Sequence, residues 1–378
     1  MKFVFVCGSI ERGADGVGDY TRRLAQSLLS SGHEVHIIAM RDSYVIEQQR
    51  EIIESELGHI KILRLPLNIG LKESANIVKK ELEEVKPDWV SLQFVVFAFH
   101  AKGLPFGLGS LLAETFNGYK VQVMFHELWL GMEKITNLKY SFWGFFQKRI
   151  IASLIQQVKP TLIHTNSNWY AAQLKKISNN IKVLPLFSNI PVVDDFYNEN
   201  RNVDFLNSKS LKFVVFGHIS LLAPVEKFVE ELNTISEKYK IKIYVTFIGK
   251  NNSDLNRWVE AWKSRFNVTV LGMQSEFEIS KCLSQSDIGI STTPYTLLGK
   301  SGSFYALQDH GLPVINVSDL NELFEERKTF AAPKGLFEYK IGNLENIFAA
   351  IEVPEKSKQL NNTRDVFLNE IVNANFQF

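Results

Sequence analysis

The chain has 378 residues, 45% hydrophobic and 22% charged, with a net charge of +1. At roughly 100–200 residues per domain, that length implies two domains. The near-zero charge argues against a nucleic-acid partner held by bulk electrostatics, and two distant cysteines, Cys7 and Cys282, suggest neither a disulfide framework nor a metal cluster. The apolar run Phe3 to Cys7 is too short for a signal-peptide core. No stretch approaches the ~18 apolar residues of a membrane span, so a cytoplasmic protein is expected.

The apolar run over 2–7 predicts a strand buried on both faces. Gly8 to Gly18 follows as a glycine-rich loop, and Asp19 to Ser31 carries Tyr20, Leu24, Leu28 and Leu29 on one helical face. Gly32 closes that helix, and His33 to Met40 is the next strand. The pattern predicts a βαβ unit whose first loop lacks the G-x-G-x-x-G spacing of a dinucleotide site. Alternation continues with a helix over about 43–57, a strand over 60–65, a helix over 73–85 and a strand over 89–95. A helix over 107–116, a strand over 120–126 and a long helix over 138–158 come next. A strand over 161–165, a helix over 168–177 and a short strand over 182–187 complete the half. Strands alternating with helices imply a doubly wound parallel sheet, with ligands at the carboxyl ends of the strands.

Residues 191–210 are polar and read as a linker, which places an N-terminal domain at 1–190. Asp194-Asp195 belongs to that linker and is better read as solvated chain than as a metal site. A second α/β series runs over 211–352. It has strands at 211–217, 241–248, 268–271, 288–292 and 313–317, and helices at 224–238, 253–265, 276–284, 302–310 and 343–351. Residues 353–378 form a C-terminal helix that is expected to pack back on the first domain.

Lys300-Ser301-Gly302-Ser303 puts a cation, two hydroxyls and a bare glycine at a helix start. Free N–H groups and the positive end of the helix dipole favour an anion there. An N-capping serine beside a solvated lysine explains the same residues.

Four further segments carry a family resemblance. Gly16-Val17-Gly18-Asp19-Tyr20-Thr21, Phe125-His126-Glu127, Val214 to Ser220, and His310-Gly311-Leu312-Pro313-Val314-Ile315 stand in order along the chain. With them the chain resembles the GT-B glycosyltransferases, and among these glycosyltransferase family 4, over nearly its whole length. The resemblance implies a GT-B architecture of two doubly wound Rossmann-like domains facing a cleft. It implies a retaining transferase that moves a sugar from a nucleotide-sugar donor to a glycan or lipid-linked acceptor, as in polysaccharide or glycoconjugate biosynthesis. His126 and Glu127 fall on the family's active-site turn. Gly16 and Gly18 fall on the loop that faces the donor diphosphate or the acceptor. His218 falls on the phosphate loop of the second domain, Met273 and Gln274 on the base-binding loop, and Gln93 and His100 on the acceptor side.

The chain also departs from the family. Two glutamates expected around the donor-binding helix fall on Leu298 and Ala306, and the arginine and lysine expected after Gly217 fall on His218 and Ala223. The variant Lys300 to Ser303 turn is then the expected diphosphate site, without a metal and with the nucleotide sugar as co-substrate rather than a bound cofactor. A catalytically silent, partner-dependent nucleotide-sugar-binding subunit and a sugar-nucleotide epimerase stay open as alternatives. The segment Leu138 to Lys159 mixes Lys139, Lys148 and Arg149 with Trp143, Phe145 and Phe146. A packed helix and an interfacial helix at the inner membrane face both fit it.

Overall fold

The computed structural model describes residues 1–132, 138–193, 204–220, 222–250, 253–318, 334–352, 354 and 359–375. Asp194-Asp195 and most of the expected linker lie outside these residues. The chain divides into two compact units, Met1–Pro185 with Leu360–Phe378, and Leu186–Gln359.

The first unit is built on an eight-stranded sheet in the order β3-β4-β2-β1-β5-β6-β7-β8. Its strands are β1 (Lys2–Cys7), β2 (Glu34–Asp42), β3 (Gln49–Ser55), β4 (Gly58–Pro66), β5 (Trp89–Phe94), β6 (Lys120–Phe125), β7 (Leu162–Thr165) and β8 (Ile181–Val183). All pairs are parallel except β3 with β4. The helices are α1 (Gly16–Leu29), α2 (Leu71–Val85), α3 (Val96–Phe99), α4 (Leu108–Thr115), α5 (Leu138–Val158) and α6 (Asn168–Leu174). Phe3 to Cys7 are fully buried, as a parallel strand covered on both faces requires. The α5 backbone sits close under the loop after β6. A side chain at Gly144 would meet the Leu130 carbonyl at 1.9 Å, so only glycine allows this approach.

The expected helix over 43–57 is instead a β-hairpin. Gln49–Ser55 pairs antiparallel with Gly58–Pro66, and Gly58 takes a φ of +135° at the turn. The polar sequence Gln49-Arg50-Glu51-Ile52-Ile53-Glu54 suits an exposed helix face as well as a charged edge strand, which discourages edge-to-edge pairing. Tertiary bonds decide between them. Arg50 makes a two-pronged ion pair with Glu81 of α2 at 2.7 and 2.9 Å, and Glu51 bonds Arg64 of β4 at 2.9 Å.

The second unit holds β9 (Ser210–Phe216), β10 (Lys242–Ile248), β11 (Asn267–Gly272), β12 (Ile288–Ser291), β13 (Val314–Asn316) and β14 (Leu336–Glu338). The sheet order β11-β10-β9-β12-β13-β14 is the 3-2-1-4-5-6 order of a doubly wound dinucleotide-type sheet, and the three-residue β14 was not anticipated from sequence. The order reverses between β9 and β12, which sets the switch point where ligands bind such sheets. Helices α7 (Val225–Tyr239), α8 (Ser253–Lys263), α9 (Glu276–Ser284), α10 (Gly302–Asp309) and α11 (Leu344–Ala350) cover its faces. Trp258, Trp262, Phe213 and Phe228 anchor one core, and Phe304, Leu307, Leu312 and Val314 the other.

Helix α12 (Gln359–Asn375) returns to the first unit. Its Phe367 packs against Phe3 and Phe5 of β1, and Thr363 donates to the Pro185 carbonyl at 2.9 Å.

One buried ion network ties the first unit together at the end of β2. Arg64 bonds Asp42 at 2.8 Å, Glu11 at 2.6 Å and Glu51 at 2.9 Å. Asp42 is fully buried and also accepts from Ser9 Oγ at 3.1 Å and the Ile10 amide at 3.4 Å. Removing the cation would leave Asp42 charged and desolvated, a loss of about 3–5 kcal/mol. Arg64→Met is expected to lower the urea stability of the first unit by that order while leaving the second unit's transition in place. Arg64→Lys is not expected to rescue it, since one ammonium cannot span three carboxylates.

Candidate active site

In the second unit the switch point brings three segments together. β9 ends at Phe216, and Gly217 follows with a φ of +91°. A side chain at Gly217 would meet Ser303 Cβ at 2.8 Å, so the β9 loop lies directly on the start of α10. Ser301 is the N-cap of α10, and its Oγ accepts from the Phe304 amide at 3.2 Å. The Ser301 hydroxyl also lies 3.1 Å from Ser303 Oγ and 3.3 Å from Thr293 Oγ1. Thr292 accepts from the Ser220 amide at 2.8 Å and donates to the His218 carbonyl at 3.2 Å, which staples the β9 loop to the β12 loop.

The capping reading of Ser301 therefore holds, and it leaves the anion reading intact. A Cβ placed on Gly302 would meet nothing within 4 Å, so the backbone at the helix start is open to a ligand. Lys300 is half-buried beside it and His218 is exposed. Lys250, at the end of β10, lines a small cavity with Gly217 and Gly249 and adds a cation that sequence reading passed over. Its signal was the Gly249-Lys250 step straight after an apolar strand.

Leu298 and Ala306, where family glutamates are expected, are 2% and 0% exposed in the apolar core beneath α10. Ala223 is likewise buried, against the other face. These three positions are filled by packing. Met273 is exposed and Gln274 caps the Leu271 carbonyl at 2.6 Å. Both follow the edge strand β11, two strands away from β9 and the switch point.

In the first unit, Gly16 and Gly18 lie inside the first turn of α1, not in the loop before it. The Asp15 carboxylate is the N-cap and accepts from the Val17 amide at 2.9 Å and the Gly18 amide at 2.8 Å. Burial raises the Asp15 pKa above the usual carboxylate range, against the pull of those two amides. A side chain at Gly18 would strike Ile10 Cα and the Ser9 carbonyl at 2.8 Å, so Gly18 is needed for close packing of α1 on the β1 loop.

His126 follows β6 and is 6% exposed. Its Nε2 lies 2.8 Å from Gln93 Oε1, its ring meets Tyr20 edge-on at 4.8 Å, and its carbonyl accepts from Asn166 at 3.2 Å. Since an amide oxygen only accepts, Nε2 carries the proton and Nδ1 is an acceptor. Glu127 is exposed. Gln93 is buried in β5, with its amide bonded to His126 and Ser91, so it supports His126 rather than meeting a ligand. His100 is exposed, and its Nδ1 accepts from the Lys102 and Leu104 amides at 3.1 and 3.3 Å, which makes it a turn-forming residue.

Burial pushes the His126 pKa down to about 3. The ordinary value is about 6.5, so the unfolded chain takes up this proton first as pH falls. The stability His126 contributes is complete above pH ~6.5 and is lost as pH drops toward about 3, at a slope of at most ~1.4 kcal/mol per pH unit. Urea unfolding at pH 7, 6 and 5 should show wild type losing on the order of 1–2 kcal/mol more than His126→Gln across that range. Parallel curves for the two proteins would mean a solvated ring.

Residues 14–187 match the family model for Glycosyltransferase Family 4. The chain superposes on crystal structures of Anabaena Alr3699/HepE in complex with UDP and glucose (TM-score 0.52, 13% identity, 100% of this chain and 98% of that one). It also superposes on an α,α-trehalose-phosphate synthase (UDP-forming) from Burkholderia xenovorans in complex with glucose-6-phosphate (TM-score 0.57, 7% identity, 98% and 100%). A third match is the catalytic domain of Starch Synthase IV from Arabidopsis thaliana bound to ADP and acarbose (TM-score 0.53, 11% identity, 97% and 95%). No curated protein sequence matches the chain. At these identities the structural likeness carries the fold. The chain has the GT-B fold, and its residues 14–187 match the Glycosyltransferase Family 4 model.

Proposed function

We propose that the protein is a glycosyltransferase that transfers a sugar from a nucleotide-sugar donor to a glycan or lipid-linked acceptor in glycoconjugate or polysaccharide biosynthesis. The observation that carries this is the open start of α10 at the switch point, where Gly302 has no neighbour in its path and Ser301, Ser303 and Lys300 surround it. Transfer breaks the bond between the sugar carbon and the diphosphate, and the electron pair stays on the diphosphate. Oriented N–H groups, two hydroxyls and the Lys300 ammonium are suited to hold that charge without a metal. Lys250 extends the cationic rim, and the exposed His218 adds a hydrogen-bonding group beside it. Asp15 already occupies two amides at the start of α1, so of the two roles open to Gly16 and Gly18 the acceptor side fits better than the diphosphate.

His126 serves as a neutral hydrogen-bonding group in this reading. A ring with a pKa near 3 is too weak a base to strip a sugar hydroxyl, but its Nδ1 can orient one. Glu127 is exposed beside it, where it can meet substrate. The family precedent argues for retention of configuration.

A second reading, a silent or partner-dependent nucleotide-sugar-binding subunit, draws on the core packing of Leu298 and Ala306, which removes two carboxylates from the donor site. Thermal unfolding with UDP-, GDP-, ADP- and dTDP-sugars, without added metal, decides between them. A ligand at about 100 times its Kd adds about 2.7 kcal/mol. One nucleotide family is expected to stabilise the protein and release free nucleotide diphosphate. Lys300→Ala and Ser301→Ala should weaken that binding roughly tenfold. Gly302→Ala should keep the unliganded melting temperature and lose the ligand shift. Stabilisation without turnover favours the silent subunit. Interconversion of the sugar nucleotide without transfer favours an epimerase. No shift with any nucleotide sinks the transferase.

Helix α5 supports a membrane-side acceptor. At about 100° per residue, Leu138, Phe142, Phe145 and Arg149 form one stripe opposite the buried Gly144, Gln147, Ile151 and Leu154. Leu138, Phe142 and Phe145 are exposed, with Phe106 beside Phe146, and Arg149 stands over the Phe145 ring. One face of α5 is packed and the opposite face is exposed, which is what supports the interfacial reading. No helix among the described residues is long and apolar enough to cross a membrane. Flotation with phosphatidylglycerol-containing vesicles should carry the protein up, less so at high salt. The double variant Phe142→Ser, Phe145→Ser should stay at the bottom. Equal behaviour of both proteins would rule the surface out.

A further inference from the structure

Apolar strands of the first unit carry an unusual set of polar side chains at their centre. Ser91 and Gln93 on β5, Gln122 on β6 and His164 on β7 are at most 1% exposed. They are not isolated. Glu370 of α12 accepts from His164 Nε2. His164 Nδ1 lies 3.0 Å from Gln122 Nε2. Gln122 Oε1 accepts from Ser91 Oγ at 2.5 Å, Ser91 Oγ accepts from Gln93 Nε2 at 2.7 Å, and Gln93 Oε1 lies 2.8 Å from His126 Nε2. The bonds form one continuous line from α12 to His126.

The direction of every bond follows from one end. An ionised carboxylate only accepts, so His164 must donate from Nε2. An amide N–H then faces His164 Nδ1, which must offer a lone pair, so that ring is neutral. Gln122 has its oxygen left for the Ser91 hydroxyl. Ser91 has its oxygen left for the Gln93 amide, and Gln93 has its oxygen left for His126. Reversing any single link would set two donors or two acceptors face to face in a dry interior, at the full desolvation cost of both groups. Reversing all of them together would set a lone pair of the neutral His164 ring against the Glu370 carboxylate, and would need an imidazolium at His164 donating from both nitrogens.

We infer that Glu370 acts as a positioning residue for His126: through His164, Gln122, Ser91 and Gln93 it fixes the His126 ring as the Nε2–H tautomer and leaves Nδ1 as the acceptor. The tautomer assignment stands apart from the proposed activity. Its effect on turnover rests on that reading, with His126 in the substrate site. Helix α12 contributes this carboxylate after the chain has built the whole second unit, so the last helix conditions a residue of the first unit's site. Lys182 Nζ lies 3.7 Å from the same carboxylate.

Long-range ¹H–¹⁵N correlation of the imidazole rings in the intact protein tests this. Wild type should show His126 and His164 both protonated on Nε2. In Glu370→Leu the two chain directions become equally bonded, and His126 should gain a clear Nδ1–H population. Glu370→Gln can donate as well as accept, so it should keep the bond to His164 and the docking of α12 yet still let His126 gain Nδ1–H. A role confined to docking α12 would lower the melting temperature of Glu370→Leu and leave the His126 tautomer alone, which overturns the inference. A wild-type His126 protonated on Nδ1 overturns it as well, and that spectrum decides the matter even if Glu370→Leu does not fold. Loss of nucleotide binding with the expected tautomers would defeat the transferase reading and leave the relay standing.

Discussion

Parallel strands cannot be joined by tight turns. Each must return through a helix, so strand ends and helix starts collect along one edge of each sheet. That constraint concentrates unpaired backbone N–H groups at a single rim, and the two units treat it in opposite ways. In the second unit the start of α10 stays open at Gly302, with hydroxyls and cations around it. In the first unit the start of α1 is closed by the chain's own Asp15. One geometry therefore yields an open helix start in one place, the proposed anion site, and a self-satisfied turn in the other. The buried Asp42–Arg64 pair holds the β1 loop that leads into α1, so the closed turn is also a fixed one.

The doubly wound order was legible because apolar runs buried on both faces leave little choice of element, and the glycine and proline stops around Gly311 and Pro313 are local signals. Gly311 does take the positive φ that ends a helix, at +67°. The hairpin at Gln49–Ser55 was not legible, since its polar residues satisfy two periods and only contacts with Glu81 and Arg64 choose between them. The capping role of Asp15 was within reach, because an aspartate just before a glycine-rich helix start is an N-cap signal. Reading Gly16 and Gly18 as loop hid it. Gln93 shows a different limit. A glutamine in a strand near a cleft reads as a ligand contact, and only burial reveals that both ends of its amide are used inside.

Leu298 and Ala306 carry the argument about the variant donor site further than their absence of charge alone. Each lies in the core that supports α10, so neither place is an empty socket waiting for a carboxylate. Restoring glutamates there would bury charge under the helix whose start is the proposed anion site. The cation and hydroxyls of Lys300 to Ser303 are therefore a self-consistent alternative, in which the proposed binding rests on the helix start and the core beneath it stays apolar. The same logic explains Ala223, buried where a lysine is expected.

The polar line through the first sheet extends this contrast between packing and chemistry. Parallel strands covered on both faces ordinarily fill with Val, Ile and Leu. Gln122 and His164 break that rule, and a broken rule in a dry interior persists only where every donor has an acceptor. Here the line ends at a carboxylate on α12 and at a histidine on the β6 rim. Phe367 seals α12 onto β1 one turn before Glu370, so apolar docking of the helix holds the carboxylate in register with His164. The hydrophobic effect supplies the grip and the carboxylate supplies the direction. A side chain at the chain's far end thereby sets which nitrogen His126 presents, without touching any ligand.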